Sequence, residues 1–351
     1  MLLNFSILQA QVLIKVEMDE AVIAARKFPW AIKLIANQVS VISAKEIAQA
    51  NQANTADLLQ NSGQVLVQKS QQGGGSPIMR GFEANKILLV VDGVRMNNAI
   101  YRAGHLQNSI TIDQFSLEKI EIVNGPGSVL YGSDALGGVI HFYTKSPAFS
   151  NSKKILVKGN VASRYATTNN EITNQVSLSV ANNKWGSYTS YTQSAFGDLR
   201  QGANRSRAIG DLGKRNFYQG RINGKDTMLV NDNPNIQKGS AYQQYDLIQK
   251  LVWKQNENVS HVVNFQLSNS TNVPRYDRLT ETNSAGVFKS AEWYYGPQNR
   301  LLLSYQAQLK QGKFYDQGNI TLSHQAIEES RHNRNWNNST LNHRIENVTV
   351  N

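Results

Sequence analysis

Cysteine is absent from all 351 residues, which excludes a disulfide framework and any thiolate metal site. Charged side chains make up only 17%, where soluble domains average about 25%. No run of 18 apolar residues occurs, so no helix is long and apolar enough to cross a membrane. That leaves a membrane open, because barrel strands alternate and never build such a run. Basic residues outnumber acidic ones, 36 to 25, but they are scattered, with no basic helix or arm, which argues against a nucleic-acid partner. No G-x-S-x-G, H-E-x-x-H or paired-carboxylate spacing is present, so neither a catalytic residue nor a resident metal is expected.

Glycine, by contrast, is concentrated. Residues 124–145, "NGPGSVLYGSDALGGVIHFYTK", hold Gly125, Gly127, Gly132, Gly137 and Gly138 between two apolar runs. A Walker loop needs Gly-Lys-Ser/Thr after its spacer, and a dinucleotide loop needs G-x-G-x-x-G opening a helix directly after a strand. Neither spacing is met. Gly138 leads instead into Val139-Ile140-His141-Phe142-Tyr143, which reads as a strand. The glycines are therefore expected to form turns joining short strands.

The chain falls into two textures. Residues 37–145 read as a small mixed α/β unit. "NQVSVIS" alternates like a strand, and Ser43-Ala44-Lys45-Glu46 is a capping box opening a helix through Ala50. A second short helix fits Asn54 to Asn61, with Leu58 and Leu59 facing a core. "QVLVQKS" reads as a strand, "QQGGGSPIMRGF" as a polar glycine loop followed by a short strand, and "KILLVVDG" as a strand buried on both faces. "LEKIEIVNG" alternates again, with Ile120 and Ile122 on one side.

After Pro147 the chain becomes a succession of roughly ten-residue segments with period-two alternation. Strands are expected near 153–164, 172–182, 184–197, 243–254, 258–269, 299–310, 317–327 and 340–350. The gaps alternate between short and long, the long ones being 165–171, 198–242, 270–298 and 328–339. A transmembrane barrel has short turns at its periplasmic rim and long loops at its extracellular rim, whereas a sandwich has no reason to alternate so. Loops 198–242 and 270–298 are expected on one rim. Tyr188, Tyr191, Phe196, Tyr242, Tyr245, Trp253 and Tyr305 are expected to form an interfacial girdle in outer-membrane lipid.

Two stretches, "SPIMRGFEANKILLVVDGVRMNNA" and "LEKIEIVNGPGSVLYGSDALGGVIHFYTK", resemble the signature segments of the plug domain of TonB-dependent outer-membrane receptors. The resemblance implies an α+β plug lodged in an antiparallel, 22-stranded transmembrane β-barrel, in the outer membrane of a Gram-negative bacterium. It divides the chain into a segment 1–24, a plug over 25–147 and the N-terminal part of a barrel over 148–351, with room for only about eight strands. A complete eight-stranded barrel has a lumen filled by side chains and has no space for a plug. The plug positions that the resemblance singles out are Arg80, Gly81, Asp92, Gly93, Glu118, Glu121, Gly125, Gly127, Tyr131, Gly132, Gly137 and Gly138. It also implies that the glycines pack where plug strands face the barrel wall. At least two of Arg80, Glu83, Glu118 and Glu121 are expected to find a basic or hydrogen-bonding partner, within the plug or on lumen-facing Arg or Lys.

"MDEAVIAA" at 18–25 is similar to the TonB box, with Asp19, Glu20, Ala21, Val22 and Ile23 as its body; an ordinary first plug strand is the alternative. Such a box pairs with the edge of a sheet of TonB, which works with ExbB and ExbD. "MLLNFSILQAQ" fits either the tail of a signal peptide or an ordinary terminus.

"RMNNAIYRAGHLQN", "NVPRYDRLT", "YGPQNRLLLSY" and "EESRHNRNW" resemble the haem and haemoglobin receptors within this family. The resemblance implies active import of haem, as transported ligand and not as cofactor, with a haemoprotein as source. Imidazole and phenolate are common axial ligands of haem iron, which makes His105 the first candidate and Tyr101 the second. The branch's Phe-Arg-Ala-Pro box is missing, and Asn233-Pro234-Asn235-Ile236 stands too early to be its companion box, so a second ligand is expected beyond residue 351. His261 and His324 read as strand positions, His332 and His343 as loop or rim residues. A siderophore or cobalamin receptor of the same fold is the alternative, and an outer-membrane binding or adhesion protein a remoter one.

Overall fold

The computed structural model describes residues 21–22, 30–31, 38–96, 108–204, 206, 208, 210–310, 312 and 315–351. At the N-terminal end, β1 (Ala21–Val22) pairs antiparallel with β2 (Trp30–Ala31), separately from the sheets that follow.

The first sheet has the order β3-β8-β9-β6-β7, built from β3 (Val39–Ser43), β6 (Ile87–Val91), β7 (Val94–Arg95), β8 (Leu117–Asn124) and β9 (Gly138–Thr144). β6 and β9 run parallel and the other pairs antiparallel. Two helices, α1 (Ala44–Ala50) and α2 (Thr55–Asn61), cover one face. Ser43 and Glu46 close the expected capping box on α1, and the Asn54 side chain caps α2. β6 is buried throughout. Ile87, Leu89 and Val91 enter the main core with Leu58, Leu59, Ile120, Ile122, Ile140 and Phe142, while Leu88 and Val90 enter a second cluster with Val123 and Val139. A short pair, β4 (Leu66–Gln68) and β5 (Ser76–Ile78), flanks the glycine loop.

The glycine run forms turns at Gly125 and Gly132, as expected, but its close contacts are not those that were expected. Gly127 opens a single helical turn, α3 (Ser128–Tyr131). A Cβ added at Gly127 would meet Val139, at Gly137 Phe82, and at Gly138 Met79 and the Val123 carbonyl. These glycines are needed because this domain's own strands press on them, not because they face a barrel wall. Contact with the wall comes elsewhere, at Gly73 against Tyr242 and at Gly93 against Gln306.

The second sheet runs β10-β11-β12-β17-β18-β21-β22, with β23 on the far side of β22. Its members are β10 (Leu156–Ala166), β11 (Glu171–Ala181), β12 (Trp185–Phe196), β17 (Tyr242–Lys254), β18 (Val259–Ser270), β21 (Asn299–Lys310), β22 (Gln317–Asn335) and β23 (Asn342–Val350), all paired antiparallel. The short strands β13 (Leu199–Arg200), β14 (Phe217–Ile222), β15 (Lys225–Val230) and β16 (Ile236–Gln237) lie in the connection between β12 and β17. β19 (Val273–Pro274), α4 (Tyr276–Leu279) and β20 (Ser290–Tyr295) lie between β18 and β21.

Alternation along these strands is inside-out. On β11, Thr173 and Gln175 are buried while Ile172 and Val176 are half exposed; on β18, Asn264 and Gln266 are buried while Val263 is exposed. Polar residues face the enclosed domain and apolar ones form the outer belt, as a membrane barrel requires. Tyr191, Tyr245 and Tyr305 belong to that outer surface, with Trp185. The expected girdle fails at Tyr188, Phe196 and Tyr242, which are buried on the inner side. Phe196 and Tyr242 stack at 4.5 Å beside Ile110 of the inner domain. Aromatic content located them near strand ends, but strand parity decided the face.

Because successive strands are antiparallel, 167–170, 197–204, 210–241, 271–298 and 336–341 share one rim, and 182–184, 255–258, 312 and 315–316 the other. The expected gap at 328–339 is mostly strand, since β22 continues to Asn335 to pair with β20 and β23. In the natural absence of cysteine, single cysteines at Ser284 and Asn256 report this topology directly. Cys at 284 should react with an impermeant maleimide on whole cells and Cys at 256 only after permeabilisation; equal labelling of both on intact cells would contradict the two-rim arrangement.

Candidate functional site

The inner domain meets the barrel wall through polar contacts centred on one turn. Asp92-Gly93 joins β6 to β7 as a two-residue hairpin, with φ of 46° and 83°. Positive φ at both positions is what a tight hairpin of this hand demands, and Asp-Gly supplies it at low cost. The turn projects the Asp92 carboxylate toward the wall. Its oxygens accept from Thr144 N (2.9 Å) and Oγ1 (2.6 Å), from Asn264 Nδ2 (2.8 Å) and from Gln266 Nε2 (3.2 Å). Lys250 Nζ stands 3.4 Å away and also donates to the Thr144 carbonyl at 3.0 Å. Gln306 donates to the Asp92 carbonyl, and Gln325 to the Arg95 carbonyl at 2.8 Å. Four consecutive wall strands thus contribute to one clamp. An ammonium and a carboxylate buried together are tolerated because each is also hydrogen-bonded.

Under the turn lies His141. Gly93 N–H donates to its Nε2 at 3.0 Å, so the imidazole carries its proton on Nδ1, which is buried without a partner. Burial pushes the imidazole pKa down to about 3, against the opposing pull of Asp92. The ring stacks at 4.0 Å on Tyr143, whose hydroxyl donates to Glu121 at 3.0 Å; Lys119 closes the row by pairing with Glu121 at 2.8 Å. Burial and the Glu121 charge raise the Tyr143 phenol, and burial raises Tyr131 as well.

Two further seams fasten the domain. On β10, Arg164 pairs with Glu171 of β11 and donates to the carbonyls of Gln52 and Ala53. On the other side, Asp113 accepts from Thr192 of β12 at 2.7 Å, and Gln244 donates to the Ile110 carbonyl. Gln72, in the glycine loop, reaches the long-loop rim, donating to the carbonyls of Gly197 and Ser240 and accepting from Asn169. A cavity of about 30 Å³ in this seam, lined by Asp113, Arg164, Tyr242, Gln244 and Asp246, suits a single water. A large ligand has no room there.

Among the positions singled out from sequence, Asp92 and Gly93 form the clamp. Arg80 is exposed and donates to Gln38 at 2.9 Å, and Glu83 and Glu118 are exposed. Gly81, Gly125 and Gly132 have positive φ. His105 and Tyr101 lie outside the described residues, as do Asp19, Glu20 and Ile23; Ala21 and Val22 form β1. The wall partners Lys250, Asn264, Gln266, Gln306 and Gln325 were not anticipated. Their signal was the buried polar parity of the strands, which marks a facing surface without naming its partner.

Residues 32–139 match the model of the TonB-dependent Receptor Plug Domain. The chain carries a TonB-dependent receptor plug. The vitamin B12 transporter BtuB of Vibrio vulnificus (strain CMCP6) is 35% identical over 142 residues, which is 39% of this chain and 22% of that protein. The hemin receptor of Yersinia pestis is 39% identical over 111 residues, 31% of this chain and 16% of that one. The chain therefore matches about a fifth of the length of these relatives. The solved structure of the copper transporter OprC superposes with a TM-score of 0.61 at 13% identity, covering 84% of this chain and 38% of that one, which establishes a shared fold. With the apolar outer belt, the plug locates the chain in a Gram-negative outer membrane.

The plug's His141 generates a pH test. Its folded pKa lies below the unfolded value of about 6.5, so the unfolded state binds the proton first. Stability contributed by the neutral imidazole is complete above pH 6.5 and is lost as pH falls toward 3, by about 1.4 kcal/mol per pH unit. His141→Gln should flatten the difference in stability between pH 7 and pH 5, followed by hydrogen exchange of the β9 amides in micelles. Parallel pH profiles for both proteins would overturn the neutral-imidazole assignment.

Proposed function

We propose that this chain supplies the plug and eight barrel strands of a TonB-dependent importer whose cargo is haem. The observation that carries the reading is the clamped plug itself: a small domain fastened to the inner face of a membrane barrel by hydrogen bonds that can exchange with water. A resident apolar core in that position would be far harder to shift. Movement of such a domain needs an energy source, and a periplasmic strand at 19–23 that adds to a sheet edge of TonB would deliver it, with ExbB and ExbD behind TonB.

Haem as cargo is supported by the hemin-receptor match and by the chemistry of the segment bearing Tyr101 and His105. Its described flanks reach the long-loop rim. Met96 lies beside Gln298, Arg300 and Glu328, and Ile110 packs on Phe196 and Tyr242. Imidazole and phenolate are both axial ligands of haem iron, so His105 and Tyr101 are the two alternative ligands of this reading. Cobalamin is the second reading, favoured by the longer match to the B12 transporter.

The test uses the receptor in outer-membrane vesicles and in cells dependent on it for iron. The double variant His105→Ala, Tyr101→Ala should lose at least tenfold in haem affinity and shift the Soret band. Val22→Pro removes a backbone N–H needed for strand addition; it should bind haem normally yet fail to import it. Unchanged haem titration in the double variant, with cobalamin bound instead, would decide for the second reading. Unchanged uptake in Val22→Pro would sink the TonB-box assignment.

A further inference from the structure

The plug's glycine loop sends one side chain out of the plug and into the rim. Gln72 is 5% exposed, and its carboxamide lies between the two ends of the long connection from β12 to β17. β12 ends at Phe196 and β17 begins at Tyr242, and these two residues are direct cross-strand partners. The connection therefore leaves the wall and re-enters it at one point. Gln72 Nε2 donates there to the Gly197 carbonyl and to the Ser240 carbonyl, each at 3.0 Å. One amide nitrogen holds both feet of the loop. Gln72 Oε1 accepts from Asn169 Nδ2, in the turn between β10 and β11, at 2.8 Å. Two carbonyls on one side of the carboxamide and a donor on the other leave it a single orientation.

The backbone beneath this side chain is fixed to the plug. Asn54, whose side chain caps α2, donates to the Gln72 carbonyl at 3.3 Å. Gly73 passes so close to the wall that an added Cβ would lie 2.7 Å from the Tyr242 ring. The position of the carboxamide thus follows the position of the plug. The feet are also joined to each other, since Asp198 Oδ1 accepts from Ser240 N at 2.8 Å and from Ala241 N at 3.2 Å. Farther out the same connection has a different anchor: Asp226, on the hairpin β14–β15, pairs with Arg334 of β22 at 2.7 and 2.9 Å. The base of the loop is fastened to the plug and its hairpin to the rim of the wall.

We propose that Gln72 is a latch by which the plug holds this loop at its base, and that withdrawal of the glycine loop frees the base while the hairpin stays anchored. Water at the rim can replace the bonds that Gln72 gives up, so release costs little once the plug has moved. The latch does not depend on what the cargo is. Only its release during transport rests on the import reading, and a test in micelles needs no transport.

Hydrogen exchange of the full receptor in micelles supplies that test. Gln72→Met keeps the volume and removes both N–H donors. The amides of 197–200 and 236–241 should then exchange about tenfold faster, with β6, β9 and β14–β15 unchanged. Gly73→Ala leaves the carboxamide intact but forces the glycine loop off Tyr242, and should loosen the same amides. Coupling is read from Asp92→Asn, which weakens the plug's hold on the wall. It should speed exchange at the loop base when Gln72 is present and add nothing in the Gln72→Met background. Unchanged exchange at the base in Gln72→Met would remove the latch. Faster exchange spreading to β6 and β9 would make Gln72 a residue of the plug's own fold and would also overturn it. So would an Asp92→Asn effect at the base that persists in full without Gln72.

Discussion

The Asp92 carboxylate is the point on which the plug's position depends. A turn of two residues aims it at the wall, and three barrel side chains, Lys250, Asn264 and Gln266, converge on it. Its own domain contributes Thr144, the last residue of β9. The carboxylate therefore joins the plug sheet to the wall while also tying two plug elements together. His141 supports the same turn from beneath by accepting the Gly93 N–H. Removing the carboxylate leaves a buried ammonium without its counter-charge, a much larger loss than that of one surface ion pair.

The barrel provides these partners because its amphipathicity is reversed. Strands that keep apolar residues toward lipid must turn polar residues inward, and those residues then need hydrogen-bond partners in the dry interior. The plug backbone supplies them: the carbonyls of Gln52, Ala53, Asp92, Arg95 and Ile110 each accept from an inward barrel side chain. Polar docking holds the plug in one place without making it part of a continuous apolar core. Leu302 is an exception, a barrel residue that enters the plug's own core cluster. A domain held this way can be fixed at rest and still yield to a directed pull.

Much of this fold was legible in the sequence. The capping box at Ser43–Glu46, the doubly buried β6 and the eight alternating strands lie close to where pattern alone put them, because each depends on local periodicity. Face assignment of aromatics was harder. Tyr188, Phe196 and Tyr242 differ from Tyr191 and Tyr245 only in parity along the strand, and a one-residue shift in reading parity reverses the face. The glycine run misled for a related reason. Gly137 and Gly138 are required by Phe82, Met79 and the Val123 carbonyl, contacts distant in sequence that composition cannot reveal. Asp92 was marked by resemblance, but Lys250, Asn264 and Gln266 were not, since a pairing between domains more than 150 residues apart leaves no local trace.

The central claim is that the plug is positioned by the Asp92 clamp, and a double-mutant cycle between Asp92→Asn and Lys250→Met measures it most directly. Plug stability in micelles, followed by hydrogen exchange of β6 and β9, supplies the four free energies. The account predicts that each single variant costs about 2–4 kcal/mol and that the double variant costs clearly less than their sum, with a coupling above about 1 kcal/mol. Losses that add within about 0.5 kcal/mol would show that the two charges act independently, and the clamp would then not be what holds the plug.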